Sequence, residues 1–429
     1  MSQDKLVYLD YAATTPVDSE VVRVMEPYWQ DTFGNAESIH KHGQEAMKAI
    51  DDAREIIKNF LGASALREII FTGSATEANN IAIQGTVSRF AFQNGKKVHI
   101  ITSAIEHSSV LKPFQYMEAK GLADVSYIQP DSNGVIDPQK IKEALRPNTV
   151  LVSIGYANNE IGTIQDIPTI GEIIRDDRES RIKNPAVAPA SPRLRRASKA
   201  LAGKQESENK KSGIHNSKFM IPYFHTDAVQ ATQFLEMDVN KLNADLVTFS
   251  AHKVYGPKGV GVLYIRDGVG IEPLMHGGKQ EYGIRPGTLN VSLIVGCARA
   301  IELAFEKRQE NTKKIFELRN YAIQRIQQVA PYAQINGSLE QRTPNNINVC
   351  FRGEDGQSLL IGLSEKGVCV SLGTACAARA GQASHVIQAL GKTKEDARAS
   401  IRISLGKHTE KKDIDFFIDA LHPLLHNRK

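Results

Sequence analysis

A lysine just past an apolar run offers the first candidate chemistry. Ser250-Ala251-His252-Lys253 follows residues 246–249 and precedes Gly256-Pro257-Lys258-Gly259. Partial burial at a strand end disfavours an ammonium, so the amine can turn nucleophilic and form a Schiff base; the alternative is a surface lysine in a turn. Asp227 and Gln230 follow the strand pattern 221–225, where Asp227 is either a partner for a cationic ring nitrogen or a helix N-cap. Gly73-Ser74-Ala75-Thr76-Glu77 lies where a strand meets a helix. Free backbone N–H groups, the helix dipole and small residues make such a junction an anion site, although Ser74 and Glu77 also read as a capping box. Glu106-His107 follows strand pattern 98–102, placing an imidazole that can stack on a ring and exchange protons, or serve the core alone. Asn158-Asn159-Glu160 follows strand pattern 149–156 and offers amides at the same level. Cys376 sits among small and polar residues, 371–384, the setting an accessible and ionisable thiol needs. Cys297, Cys350 and Cys369 lie in apolar patterns and read as inert core thiols.

Three of these parts suit one group. Pyridoxal phosphate takes a Schiff-base lysine (Lys253), an anion turn for its phosphate, and a carboxylate (Asp227) that keeps the ring an electron sink. Gln230 is then in place to hydrogen-bond the phenolic oxygen.

The surrounding elements put these residues on one edge. Helical spacing is clear at 42–61, where Met47, Ile50, Ile57, Phe60 and Leu61 recur three, four and seven apart. Strand patterns at 68–71, 98–102, 125–128 and 149–156 alternate with helical patterns at 76–93, 108–120 and 138–145, and another helix begins near 168. Strands recur at 221–225, 246–249 and 259–266. This alternation predicts an α/β fold with a mainly parallel seven-stranded sheet covered on both faces, and ligands of such sheets sit beyond the carboxyl ends of the strands. From about 270 the texture changes: a Gly-rich stretch, a long helix over 291–329, then shorter α and β elements. We expect a large domain over 16–270, and a smaller α+β domain formed by 1–15 and 271–429 that carries the Cys376 loop.

Composition narrows the classes. Of 429 residues, 41% are hydrophobic and 24% charged, as in an ordinary globular chain. No run approaches the ~18 apolar residues of a membrane span, the first residues lack a signal-peptide core, and the cysteines form no CxxC pair; no membrane association, no metal site and a cytoplasmic location are expected. The net charge of +5 is local, because residues 175–218 hold 12 basic and 5 acidic residues. With no aromatic residue and three prolines, 178–218 reads as a disordered basic insertion. It is either a solvated loop or a docking arm for RNA, an acidic protein or anionic lipid, and any nucleic-acid contact is expected there alone.

As an ordered set these segments closely resemble the cysteine desulfurases, fold-type I pyridoxal-phosphate enzymes of the class V aminotransferase group. The resemblance runs through residues 8–16, Phe33-Gly34-Asn35, Ala75-Thr76-Glu77, Glu106-His107, residues 158–162, residues 227–230 and residues 250–253. It continues through His276-Gly277-Gly278, Arg285-Pro286-Gly287-Thr288, Gly373-Thr374-Ala375-Cys376 and residues 401–406. The short cysteine loop is similar to that of the nitrogen-fixation and housekeeping (NifS/IscS-like) group.

The resemblance implies conversion of L-cysteine to L-alanine, with the sulfur passed to Cys376 as a persulfide. It assigns Lys253 to the Schiff base and the Cα proton, His107 to ring stacking and proton transfer, and Asp227 to the ring nitrogen. It assigns Ala75, Thr76, Ser250 and His252 to the phosphate, Asn159 to both cofactor and substrate, Asn35 and Arg402 to the substrate, and Thr288 to the phosphate of a second protomer, hence a homodimer. The onward acceptor would be an iron–sulfur scaffold or a tRNA- or cofactor-thiolating enzyme. Departures are Gly73-Ser74 in place of Ser-Gly, Ala36-Glu37 after Asn35, Leu372 in place of a serine, the basic insertion, and an end at Lys429 without the docking tail of some relatives. A selenocysteine lyase or aminotransferase of the same fold, and a non-catalytic assembly or RNA-binding protein using the insertion, are the competing readings.

Overall fold

The computed structural model describes residues 6–94, 97–183, 221–373 and 383–425. Strand β1 (Val7–Tyr8) is followed by the seven strands of the main sheet: β2 (Ile69–Thr72), β3 (Val98–Ser103), β4 (Ala123–Ile128), β5 (Thr149–Ser153), β6 (Tyr223–Asp227), β7 (Leu246–Ser250) and β8 (Gly261–Ile265). Their order is β2-β8-β7-β6-β5-β3-β4. Neighbours are parallel except around β8, which runs antiparallel to β2 and β7. The mainly parallel α/β sheet expected from the alternating pattern is therefore present.

Successive strand residues face opposite helix layers, the period-two consequence of the pleat. Ile69, Phe71, Ile101, Val152 and Phe249 join the core with Ile50 and Ile57 of the helix Lys41–Leu61. Ile70, Ile100, Leu151 and Leu263 pack instead with Ile81, Val87 and Phe90 of the helix Ala75–Asn94 and Val110 and Phe114 of the helix Ser108–Ala119. Strands β2, β3, β5, β7 and β8 are buried at every residue, as a sheet covered on both faces requires.

A second core lies against this layer. Strands β9 (Gln334–Ile335), β10 (Asn346–Cys350), β11 (Val368–Cys369) and β12 (Ser400–Ser404) form two small sheets. One is antiparallel, in order β12-β10-β9; in the other, β11 pairs in parallel with β1. The helices Arg308–Val329, Gly356–Glu365 and Lys411–Leu421 cover them.

Two sequence expectations need correction. The helix expected over 291–329 is two helices, Val291–Glu306 and Arg308–Val329, separated by Lys307 at φ −99°, ψ 9°. The break changes cores: Ile294, Cys297 and Ile301 pack with the first, whereas Ile315, Ala322 and Ile326 pack with the second. An uninterrupted helical period hid this turn because both halves are amphipathic. The insertion expected over 178–218 also begins too early, since the helix Ile167–Lys183 continues through its first six residues. Arg178 and Arg181 are buried there. Arg178 Nε donates to the Pro222 carbonyl at 2.7 Å and its guanidinium pairs with Asp245. Arg181 donates to the carbonyls of Pro147 and Arg146 at 3.0 and 2.8 Å. Hydrogen bonding, rather than apolar area, satisfies these two side chains, so composition alone read them as solvated. Residues 184–220 lie outside the described residues. Among the described residues no helix is long and apolar enough to cross a membrane.

Candidate active site

The chemistry-bearing residues converge beyond the carboxyl ends of the strands, the edge where open α/β sheets bind ligands. Here a cavity of about 290 Å³ is lined by Ala75 and Thr76 after β2, His107 after β3, Asn159 after β5, Asp227 at the end of β6 with Gln230 just beyond it, and Ser250 at the end of β7 with His252 and Lys253 just beyond it. Arg402 enters from β12 of the second core. Ten sequence-predicted site residues thus share one cavity. Asn35 and Thr288 are exposed and lie outside its lining. Cys376 lies outside the described residues.

Lys253 follows β7 in a short 3-10 turn, Ala251–Lys253. Its Nζ donates to the carbonyls of Ala12 and Ala13, both at 2.6 Å. Burial, followed by the Arg402 charge, pulls its pKa down to about 7, against the opposing influence of Asp10 and Asp227. An amine titrating there is available as a nucleophile near neutral pH.

Asp227 ends β6. Its Oδ2 accepts from Asn79 Nδ2 at 2.8 Å and its Oδ1 from the Val229 N–H at 3.0 Å. His107 precedes the helix Ser108–Ala119 as its N-cap, with Nδ1 accepting from the Ser109 N–H at 3.1 Å. Burial is the leading cause of its lowered pKa; Lys253, His385 and Arg402 act in the same direction and Asp227 against it. Gln230 Nε2 donates to the Ala12 carbonyl at 3.1 Å.

The turn 73–74 opens directly into the helix Ala75–Asn94. Glu77 accepts from the Gly73 N–H at 2.6 Å and donates its own N–H to Ser74 Oγ at 3.1 Å, so the reversed Gly-Ser order still builds a closed turn. A Cβ on Gly261 would come within 2.5 Å of the Ser74 carbonyl carbon, so β8 needs glycine to press against this turn. His252 Nδ1 lies 3.1 Å from Thr14 Oγ1. Burial lowers its pKa to about 4, with Lys253 and Lys258 adding to the effect, which leaves the ring neutral at physiological pH.

Arg402 is buried, and its terminal nitrogens donate to Asp10 Oδ1 at 2.7 Å and the Asn159 carbonyl at 3.0 Å. Its Nε is buried without a partner among the described residues. Its backbone pairs with Ser371 in an antiparallel bridge, which ties the described segment leading to Cys376 to the guanidinium. The other cysteines are poor nucleophiles. Burial pushes the Cys297 thiol up to about 12 and raises Cys350 and Cys369 as well.

The donor set fits pyridoxal phosphate. A helix N-terminus with Ser74, Ala75 and Thr76, joined by Ser250 and His252, suits the dianionic phosphate. The Asp227 carboxylate suits a protonated ring nitrogen, and Lys253 suits its aldehyde carbon. Sequence reading missed Asn79, Ser109 and Asp10. Asn79 lies one helical turn after Thr76 on the Ala75–Asn94 helix, a spacing that would have placed it on the same face.

The chain is similar to known proteins over nearly its whole length. The family described as Aminotransferase class-V matches residues 7–181 and 208–417, leaving a gap inside the basic segment. The chain is 41% identical over 419 residues to the cysteine desulfurase IscS of Dictyoglomus turgidum, covering 98% of this chain and 94% of that one. It is 39% identical over 421 residues to the cysteine desulfurase IscS of Methanosarcina thermophila, covering 98% and 92%. A solved NifS-like protein superposes with a TM-score of 0.81 at 35% identity, covering 98% of this chain and 99% of the other. A structure described as SspA in complex with cysteine gives 0.71 at 34% identity, covering 94% and 99%.

Proposed function

Because the chain belongs to the class V aminotransferase family, we infer that it is a pyridoxal-phosphate-dependent cysteine desulfurase, taking L-cysteine to L-alanine and passing the sulfur to its own Cys376. One observation carries the reading: Lys253, Asp227 and the buried Arg402 line a single cavity. An amine, a carboxylate for the ring nitrogen and a guanidinium for a substrate carboxylate are the groups that such an enzyme needs in one cavity.

Ala75, Thr76, Ser250 and His252 would hold the phosphate, Asp227 and Gln230 the ring, and Lys253 the aldehyde carbon. Bound there, pyridoxal phosphate supplies the electron sink that a bond cleavage at an amino acid needs. The protein's own groups do the rest. Asp10 and the Asn159 carbonyl hold the terminal nitrogens of Arg402 in the cavity lining, which fixes the guanidinium where it would grip the substrate carboxylate. Asn159 and Asn35 would orient the same substrate. Lys253, half neutral near pH 7, takes and returns the Cα proton at Nζ. Cys376, as thiolate, attacks the substrate sulfur. The new S–S bond forms as the carbon–sulfur bond breaks, and the carbon keeps that electron pair and is protonated to give alanine.

A persulfide is a carrier, so the reaction implies a thiol- or cluster-bearing acceptor downstream, of the class that builds iron–sulfur centres or thiolates tRNA or cofactors. Thr288, exposed and away from this cavity, would reach a second protomer's phosphate in a homodimer.

Incubating the loaded enzyme with L-cysteine and a reductant tests the reading. Equal amounts of alanine and sulfide, formed without added keto acid and both lost in Cys376→Ala, are expected. Alanine formation that needs a keto acid and survives Cys376→Ala would assign an aminotransferase instead.

A further inference from the structure

Asn79 is fully buried between the two groups that face the ring site. Its Nδ2 lies 2.8 Å from Asp227 Oδ2 and 2.8 Å from Ser109 Oγ. Ser109 Oγ in turn lies 2.7 Å from His107 Nδ1. The chemistry of each atom fixes the direction of this chain. A carboxylate oxygen accepts, so the Asn79 amide must present its nitrogen to Asp227; turned over, its carbonyl would oppose the carboxylate. The same nitrogen gives its second hydrogen to Ser109 Oγ. Ser109 then has its own hydroxyl hydrogen for His107 Nδ1, where the Ser109 backbone N–H already donates at 3.1 Å. Asn79 Oδ1 is buried and unpartnered among the described residues, so the amide acts here only as a donor.

We propose that Asn79 and Ser109 are positioning residues: one directional hydrogen-bond chain that runs from the accepting Asp227 oxygen to His107 and places the His107 proton on Nε2. His107 with Nδ1 occupied by two donors has no free lone pair, so in the resting enzyme it is a hydrogen-bond donor and not a base. Base work at Cα is left to Lys253. Among the described residues, Asp227, Lys253, His385 and Arg402 are the charged or titratable groups that act on the ring, and a neutral donor imidazole avoids adding a cation beside Arg402. The inference deepens the desulfurase reading and rests on it for its catalytic meaning. The ring's protonation is measured without turnover, so it can fail while desulfuration stands.

The experiment is nitrogen-15 NMR of the full chain loaded with pyridoxal phosphate and labelled at histidine, with the His107 signals identified by their loss in His107→Gln. The wild type is expected to show the Nε2–H tautomer alone at neutral pH. Ser109→Ala is expected to shift the Nδ1 resonance and admit the other tautomer, and Ser109→Thr, which keeps the hydroxyl, to restore the wild-type signals. Asn79→Leu, checked for native circular dichroism, is expected to give the same mixture and to weaken retention of the cofactor on dialysis. An imidazolium or Nδ1–H ring in the wild type would overturn the proposal. Wild-type His107 signals in both Ser109→Ala and Asn79→Leu would overturn it equally.

Discussion

Lys253 Nζ donates to the Ala12 carbonyl oxygen at 2.6 Å, joining the candidate Schiff-base lysine to the chain's N-terminal segment. The Ala13 carbonyl accepts from the same nitrogen, yet burial and Arg402 still bring the amine to about pKa 7. Below that pH the nitrogen is protonated and cannot attack an aldehyde; above it the free amine dominates. Covalent uptake of pyridoxal phosphate by stripped protein, followed by borohydride trapping, should therefore be about tenfold slower at pH 6 than at pH 8 and level off above pH 8. A rate still climbing steeply beyond pH 9 would mean an ordinary lysine.

Arg402 is held by Asp10 and by the Asn159 carbonyl in the lining of the cavity. Arg402→Lys keeps the charge but loses the planar fork. A charge-assisted hydrogen bond is worth about 1.5–3 kcal/mol, so kcat/KM for L-cysteine should fall roughly ten- to hundredfold, chiefly through KM. Steady-state kinetics with saturating cofactor decide this, and an unchanged KM would remove Arg402 from substrate binding.

The buried Arg178–Asp245 pair lies near the end of the helix Ile167–Lys183, within the basic segment. Asp245 also accepts the Phe224 N–H at 2.7 Å, so it helps fix β6, the strand that carries Asp227. Breaking such a pair costs about 3–5 kcal/mol. Urea melts should show that loss for Arg178→Ala, while replacing residues 185–219 by a short Gly-Ser linker leaves both stability and turnover near wild type. A large loss of turnover in the shortened chain would give the segment a part in catalysis.

His99 and His225 are buried in the sheet between hydroxyls. His99 contacts Thr149 and Ser126, and His225 contacts Ser153 and Thr248. Burial lowers their pKa values to about 4 and about 3. Between those values and the usual 6.5 of an unfolded histidine, only the unfolded chain binds the proton. Stability from these groups is thus full above about pH 6.5 and declines as pH falls toward 4, by about 1.4 kcal/mol per pH unit for each histidine. Chemical denaturation between pH 4.5 and 7 should show a shallower slope in His225→Gln than in the wild type, and equal slopes would contradict the assignment.

The sheet was legible because alternating strand and helix periods are local signals, and the residues after each strand end inherit the cavity from the topology. Lys253, Asp227, His107 and the 73–76 turn therefore came together as expected from their positions alone. The contacts of Asn79, Asp10 and the buried carboxylate of Glu106 were not legible, since their partners lie 148, 392 and 49 residues away in the chain. Burial and the hydrogen bonds of Gly155 and Ser103 act in opposite directions on Glu106, and burial prevails, raising its pKa to about 7. No spacing rule exposes that balance. Arg178 and Arg181 misled for the converse reason: a buried arginine satisfied by carbonyls and carboxylates has the composition of a solvated one.

Sulfur transfer onto Cys376 is read out by peptide mass spectrometry. The loaded enzyme is given limiting L-cysteine without reductant, alkylated and digested. One added sulfur on the Cys376 peptide, absent from the peptides of Cys297, Cys350 and Cys369 and matched by an equal amount of alanine, is the predicted result. Alanine formed with no sulfur on Cys376, or undiminished in Cys376→Ala, would contradict it.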